Sequence, residues 1–353
     1  MTKGITAIVG LDLGDRFSQY SIADYASGGI VEEGKVMTRP ESLRSRFADA
    51  PPMRIVIETG THSAWIARLL RGLGHEVLVA DARRLRFIYM SDRKDDEIDA
   101  RMLAKVGRLD PSLLHPVRTH SPEADRGLAV VRSRDILVRA RTKLVNSVRG
   151  QVKKMGYRLP GLSAEAFARK ARLHLPDELR PVLEPILDVI AELTAKVREY
   201  DARIDALCSA HPETERLRQV AGVGPVTALV FALVIEDPHR FAKSREVGPF
   251  LGLTPRRDAS GTIDRQLGIT HAGDNHLRWL LVSSAHYVLG PFGPDTELRR
   301  WGLSLAARGG ANGKKRAVVG VARRLAVLLH RLWVSGETYR PLRSAVPQEA
   351  VAV

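Results

Sequence analysis

Short apolar runs that end on an acid constrain this chain more than any other feature. The run Ile5-Thr6-Ala7-Ile8-Val9-Gly10-Leu11-Asp12 has the pattern of a buried strand closed by an aspartate. Arg54-Ile55-Val56-Ile57-Glu58 is a second strand, closed by a glutamate. Gly14-Asp15 marks a turn after the first, and Gln19-Tyr20-Ser21-Ile22-Ala23 reads as a strand returning beside it. Glu76-Val77-Leu78-Val79-Ala80 is a further strand. Between the last two, Trp65, Leu69, Leu70 and Leu73 fall at helical intervals before Gly74. Strands alternating with helices predict an α/β sheet. Acids at the ends of buried strands are badly placed for solvation and well placed to hold divalent cations.

The chain has 353 residues, 44% of them hydrophobic, which is enough for two or more domains with cores of their own. Its 55 Lys and Arg outweigh 40 Asp and Glu, a net charge of +15. That excess points to nucleic acid, where phosphate contacts dominate affinity. A membrane partner would require a span of ~20 apolar residues. The longest apolar stretch, Val226 to Ile235, falls far short. Ile5 to Leu11 is too short for a secretory signal and no cleavage site follows it. A cytoplasmic protein is expected. The single cysteine, Cys208, excludes a disulfide framework and a multi-cysteine zinc site. The eleven histidines lack metal-ligand spacing, so any metal ligands are carboxylates, which favour Mg²⁺ or Mn²⁺.

Residues 126–158 hold ten Lys or Arg and one acid, Asp135. Ile136, Ala140, Leu144, Val148 and Val152 recur every four residues, which predicts one long basic helix broken at Pro160-Gly161. Such lopsided charge exceeds ordinary solvation of a helix face. From Leu183 a heptad runs through Ile186, Ile190, Leu193, Val197, Tyr200, Ile204 and Leu207, the seam of a coiled coil. It has two possible partners, the basic helix or a second chain. His211-Pro212 marks a boundary, residues 251–275 read as loop-rich, and the remainder reads as helical. No acid occurs from Trp301 to Gly336. The expected division is a domain over 1–158, a coiled-coil linker over 159–210, a mainly helical domain over 211–345 and a disordered tail over 346–353.

Asp96 and Asp99, three apart in Lys94-Asp95-Asp96-Glu97-Ile98-Asp99-Ala100, share one face of a helix. With Asp12 and Glu58 at neighbouring strand ends, they make the acid layout of the ribonuclease-H-like fold. Two-metal phosphoryl chemistry uses such convergent carboxylates, with cations ~4 Å apart. The rival fold is that of sugar kinases and actin-like ATPases, whose first hairpin also reads Leu-Asp-Leu-Gly. It requires a second Asp-Gly hairpin later in the chain, and the sequence has none.

Val220-Ala221-Gly222-Val223-Gly224-Pro225 resembles a helix-hairpin-helix turn, in which Gly222 and Gly224 let backbone N–H groups approach a phosphate. Ser260-Gly261 follows Arg256 and Arg257. With Arg265 and Arg278, these arginines form a candidate phosphate clamp around a serine able to attack phosphorus. Further basic candidates are Arg139, Arg141, Lys143, Arg149, Lys153 and Lys154 on the long helix, and Lys314, Lys315 and Arg316 at the start of the last. Aromatic residues make up 5% of the chain, which argues against base stacking as the main mode of recognition.

Taken in order, these motifs resemble the DEDD-type insertion-sequence transposases, the insertion sequence 110 family, over nearly the whole chain. The N-terminal half is similar to that family's RuvC-like domain, and the C-terminal half to its second transposase domain. The second match runs through Leu251-Gly252-Leu253-Thr254-Pro255, Gly268-Ile269-Thr270 and Asn275-His276-Leu277-Arg278. The resemblance implies that Asp12, Glu58, Asp96 and Asp99 bind Mg²⁺, with Mn²⁺ as a substitute, and that Ser260 is the nucleophile. It further implies a serine-linked intermediate on double-stranded DNA, a structured guide RNA, a homo-oligomer (dimer or tetramer) and active sites composed from both domains. There are three departures from the family pattern. Asp95 stands where the family has Thr or Ser, leaving Asp95 or Asp96 as the third acid. Ala259 replaces the first of two serines. Gly273-Asp274 replaces a basic position. Two other readings stay open: a RuvC-like junction nuclease that uses water, and a non-catalytic nucleic-acid-binding protein.

Overall fold

The computed structural model describes residues 4–85 and 95–342. The expected tail over 346–353 and the residues Asp92 and Lys94 beside the third acid lie outside them. The chain divides into two units, Met1–Ser121 and Pro122–Val353.

The first unit is a five-stranded mixed sheet. Its strands are β1 (Ala7–Asp12), β2 (Phe17–Asp24), β3 (Ile30–Met37), β4 (Arg54–Glu58) and β5 (Glu76–Ala80). The order is β3-β2-β1-β4-β5, with β1 antiparallel to β2, β2 to β3, and the three strands β1, β4 and β5 parallel. Helices α1 (Pro40–Phe47), α2 (Ser63–Gly72) and α3 (Asp96–Leu109) cover it. The strand β3 and helix α1 are not anticipated from the sequence. Ile30 and Val31 are exposed on this edge strand, so no alternation of apolar and polar residues announces it.

Side chains alternate across a strand with a period of two. Val9, Leu11, Ile55, Ile57, Val77 and Val79 pack with Leu43 and Phe47 of α1 and Ile66 and Leu70 of α2. Ile8 and Val56 face the other way, onto Leu103, Ala104 and Val106 of α3. The same parity carries Gly10 and Asp12 of β1, and Glu58 of β4, to the α3 side of the sheet.

In the second unit, α4 (Pro122–Lys154) is the predicted basic helix. Short α5 (Phe167–Ala171) leads to α6 (Arg180–Ala210). The two long helices pack antiparallel within the chain. Arg134 of α4 meets Asp201 at 2.6 Å, Arg141 reaches Thr194, and Val148 and Val152 join Leu183, Leu187 and Ile190 in one core. The stripe on α6 keeps Leu183, Ile190, Val197 and Ile204 buried, as the heptad predicts. At the alternate positions burial moves one residue on, to Leu187, Thr194 and Cys208, while Ile186, Leu193, Tyr200 and Leu207 are half-buried. The buried face is thus wider than an a/d seam, the mark of a helix set against a globular core.

The rest of this unit is α7 (Glu213–Arg218), α8 (Pro225–Ile235), α9 (Val247–Phe250), a hairpin of β6 (Pro255–Ser260) and β7 (Ile263–Ile269), α10 (Asn275–Leu289), α11 (Glu297–Ala307) and α12 (Gly313–Ser335). Every residue of α8 from Thr227 to Ile235 is buried, and α4, α6, α10 and α12 surround it. Among the described residues, no helix is long and apolar enough to cross a membrane.

Candidate active site and nucleic-acid surfaces

Parallel pairing of β1 with β4 sets Leu11 opposite Ile57, so Asp12 and Glu58 leave the sheet side by side at its C-terminal edge. Ligands of open α/β sheets bind at this edge. Helix α3 runs antiparallel to β1, with Ala100 against Gly10 and Gly107 against Ile8 and Val56. Its first turn, with Asp96 and Asp99, therefore lies at the same edge and on the same face as Asp12 and Glu58. The approach is close: a Cβ on Gly10 would sit 1.9 Å from the Ala100 carbonyl oxygen, and one on Gly107 would sit 2.4 Å from Val56 Cγ2. Two glycines set the depth at which the acidic helix meets the acidic strand ends. A glycine inside a strand is the sequence signal of such an approach.

The electrostatics follow from this placement. The Asp12 carboxyl is pushed up from 3.8 to about 6, first by burial and then by the charges of Asp96, Asp99 and Glu58, with a backbone hydrogen bond from Leu13 opposing. Asp95 sits outside the helix as its N-cap, with its carboxylate accepting from the Glu97 N–H at 3.1 Å. Asp99 is buried and Asp96 is exposed. Among the described residues no three acidic, histidine or cysteine side chains form a ready-made metal cage. The donor set is nonetheless all carboxylate oxygen, which suits a hard divalent cation, and such an ion would relieve the repulsion that lifts Asp12.

Ser260 closes β6 in the second unit. Gly261 follows with φ +55, a left-handed turn conformation that favours glycine. The β6–β7 hairpin projects with nearly every residue exposed. This is a correction to the loop reading of 251–275. Cross-strand pairing, including Arg257 with Asp264 at 2.8 Å, supplies the order without a buried face. The base of the hairpin is tight. Gly252 and Gly273 both have positive φ, and their Cβ positions would fall 2.2 Å from Ala272 N and Phe250 O.

Arg278 does not join the clamp. It is buried, and its guanidinium donates to Leu251 O at 3.0 Å, Ala272 O at 2.6 Å and Asn275 Oδ1 at 2.9 Å, which ties down the hairpin base. Arg256 and Arg265 are exposed along the hairpin, and Arg257 is exposed with its charge turned to Asp264. Asp274, in place of a basic residue, caps α10 by accepting from Leu277 N at 2.7 Å and pairs with Arg132 at 3.0 Å.

The long basic helix sorts its cations by type. Arg141 is buried and bonded to Thr194 and Glu165, each at 3.4 Å, so it holds α4 to its neighbours instead of facing a ligand. Arg149 donates to Pro160 O and Leu162 O and lies over the Phe167 ring. Arg139 pairs with Asp135 at 2.8 Å and lies over Trp279. Lys143, Lys153 and Lys154 are not buried, and Lys314, Lys315 and Arg316 at the start of α12 are exposed. In the turn between α7 and α8, Gly222 has φ +84 and fits closely against Ser284 O and Tyr287, so its glycine is structural. Gly224 is the N-cap of α8 and has open space at its α-carbon.

Two family models match the chain. One, a transposase of the DEDD class of IS110 elements, covers residues 9–156. The other, the transposase IS116/IS110/IS902 family, covers residues 214–297. The chain is 28% identical to the transposase for insertion sequence element IS1111A of Coxiella burnetii, over 88% of this chain and 87% of the relative. It is 29% identical to a protein of Pseudomonas aeruginosa named a probable family 20 transposase, over 94% of this chain and 98% of the relative. It is 27% identical to the transposase for insertion sequence element IS1328 of Yersinia enterocolitica, over 80% of this chain and 84% of the relative.

Proposed function

The chain belongs to the IS110/IS116 family of transposases, DNA-processing enzymes, and from that premise we propose that its chemistry combines the four carboxylates of the first unit with Ser260 of the second. The observation that carries this reading is the meeting of two strand-end acids and two helix acids on one face of one sheet edge. Asp12, Glu58, Asp96 and Asp99 hold Mg²⁺, or Mn²⁺ in its place. Asp96 is preferred over Asp95 as the third acid, because its charge acts on Asp12 while Asp95 caps α3. When bound, the cation supplies positive charge to offset the charge of the phosphate undergoing transfer. The RuvC-like fold of the first unit agrees with the sheet order and with the side of the sheet on which the acids stand.

Ser260 Oγ attacks the scissile phosphorus. A serine–phosphate ester forms as one DNA phosphodiester bond breaks, and the serine proton ends on the departing nucleotide oxygen. One ester replaces another, so the bond energy is kept for rejoining when a hydroxyl of a second DNA end attacks the serine ester and the proton returns to Ser260. An exposed hairpin leaves the nucleophile open to a bound DNA strand, and the composite active site is the arrangement that the family resemblance implies. The domain plan read from the sequence is 1–158, 159–210 and 211–345, with the long helix α4 of the first segment packed in the second unit; the chain assembles into a homo-oligomer on element ends and target. A structured guide RNA lies along the lysines of α4 and the start of α12, recognised through shape and backbone.

Strand cleavage of element-end DNA, titrated with Mg²⁺, tests the acidic half. Asp12→Asn and Asp99→Asn are expected to abolish cleavage while leaving duplex binding within about twofold of wild type. Unchanged cleavage by either variant contradicts the assignment.

A further inference from the structure

A cleft of about 430 Å³ opens beside the α7–α8 turn, lined by Gly222, Gly224, Thr227, Trp279, Ser283 and Tyr287 among others. That volume lies in the range of sites for small organic ligands. Trp279 and Tyr287 are each about half exposed, 49% and 48%. They stand eight residues apart on α10, about 12 Å along the helix axis, with Ser283 between them. Trp279 is held in place: the His276 ring stacks on it at 6.2 Å and the Arg139 guanidinium lies 5.6 Å from its centroid. Trp279 also borders a second hollow, lined by Asp135, Arg139, Thr142, Lys143 and Asn146 of α4. The opposite wall of the cleft is the start of α8. There Gly224 has no side chain, no side-chain cap is made, and Pro225 opens the helix.

Each wall offers a different chemistry. Exposed aromatic faces attract flat, apolar rings. An uncapped helix start lined by glycine attracts a phosphate. The set matches a short unpaired nucleic-acid strand better than a peptide or an apolar helix. A helix-hairpin-helix turn on a duplex touches backbone alone and has no use for rings, and paired bases are not accessible to them. Aromatic platforms take bases that have left the stack.

We propose that this cleft binds an unpaired segment of a DNA strand, with bases against Trp279 and Tyr287 and a phosphate toward Gly224. The choice of DNA rests on the transposase reading above; the unpaired base rests on the cleft. A low aromatic content argues against base stacking as the main mode of recognition for the chain at large. Two rings eight residues apart on one helix face are enough to make a platform, and composition does not register them.

The test compares affinities of the full chain for three labelled oligonucleotides of one sequence: a fully paired DNA duplex, the same duplex with a short unpaired segment, and an RNA version of the unpaired strand. The wild-type chain should bind the DNA with the unpaired segment more tightly than the full duplex. Trp279→Leu and Tyr287→Leu should each lose roughly tenfold on the unpaired DNA and less than about twofold on the duplex, and Trp279→Phe should restore most of the loss. Equal losses on both DNAs for Trp279→Leu and Tyr287→Leu, or no loss on the unpaired DNA for either, overturns the proposal. Tighter, equally Trp279-dependent binding of the RNA overturns the assignment to DNA. The cleavage test of Asp12 and Asp99 is unaffected by any of these results, so the two readings fail separately.

Discussion

At Gly10 the fold tolerates no side chain, because a methyl group there meets the backbone of α3 and not a movable side chain. Overpacking costs about 1–3 kcal/mol, and with backbone as the obstacle Gly10→Ala should reach at least the upper end. Urea unfolding of the two proteins measures it; equal midpoints would show that α3 does not rest on β1 as described. Asp12 supplies the opposite case, a residue that works against stability. Its folded pKa of about 6 lies above the ordinary 3.8, so between those values the folded state binds more protons than the unfolded one. Stability from this group is therefore greatest at low pH and falls as pH rises through that window. In metal-free buffer, Asp12→Asn should raise the melting temperature by several degrees near neutral pH, and the gain should vanish below about pH 4, where both states are protonated in the wild type. A gain that persists in acid would place its cause elsewhere. The acids themselves were legible as strand-end and i, i+3 residues. The parity that puts Asp12, Glu58 and α3 on one face was not, since it depends on which face each helix covers.

The long helices show what heptad spacing can and cannot say. Periodicity located α6 and half of its buried stripe, Leu183, Ile190, Val197 and Ile204. It misassigned the flanking positions because α6 meets α4 and α5 over a broad face and not a two-helix seam. On α4, Ile136 fits the four-residue repeat yet is 65% exposed, while Arg141 is buried among acceptors. Ile190→Ala should accordingly cost about 2–5 kcal/mol, and Ile136→Ala less than about 0.5 kcal/mol, as read by denaturant unfolding. Comparable losses would mean that the two helices pack in another register. The β6–β7 hairpin escaped the sequence because exposed strands have no apolar alternation to detect. Its cross-strand pairing, such as Arg257 with Asp264, its glycine base and the Arg278 hydrogen bonds there give it order.

Across the whole molecule, a net charge of +15 is distributed by residue type as well as by region. Several arginines of the long helix, Arg134, Arg141 and Arg149 among them, are bound to the protein's own acceptors, while its lysines Lys143, Lys153 and Lys154 are exposed. Charge counting found the helix and not this division, which depends on tertiary partners. Replacing Lys143, Lys153 and Lys154 by Gln should make the plot of log affinity against log salt shallower, by about one unit for each phosphate no longer neutralised. An unchanged slope would remove α4 from the nucleic-acid surface. In the proposed reaction, carboxylates of one unit and Ser260 of the other act on one phosphate. Denaturing electrophoresis of the protein with labelled element-end DNA and Mg²⁺ tests it most directly. The wild type should give a covalent protein–DNA species, and Ser260→Ala and Asp12→Asn should give none. A covalent species, or undiminished cleavage, with Ser260→Ala would contradict it.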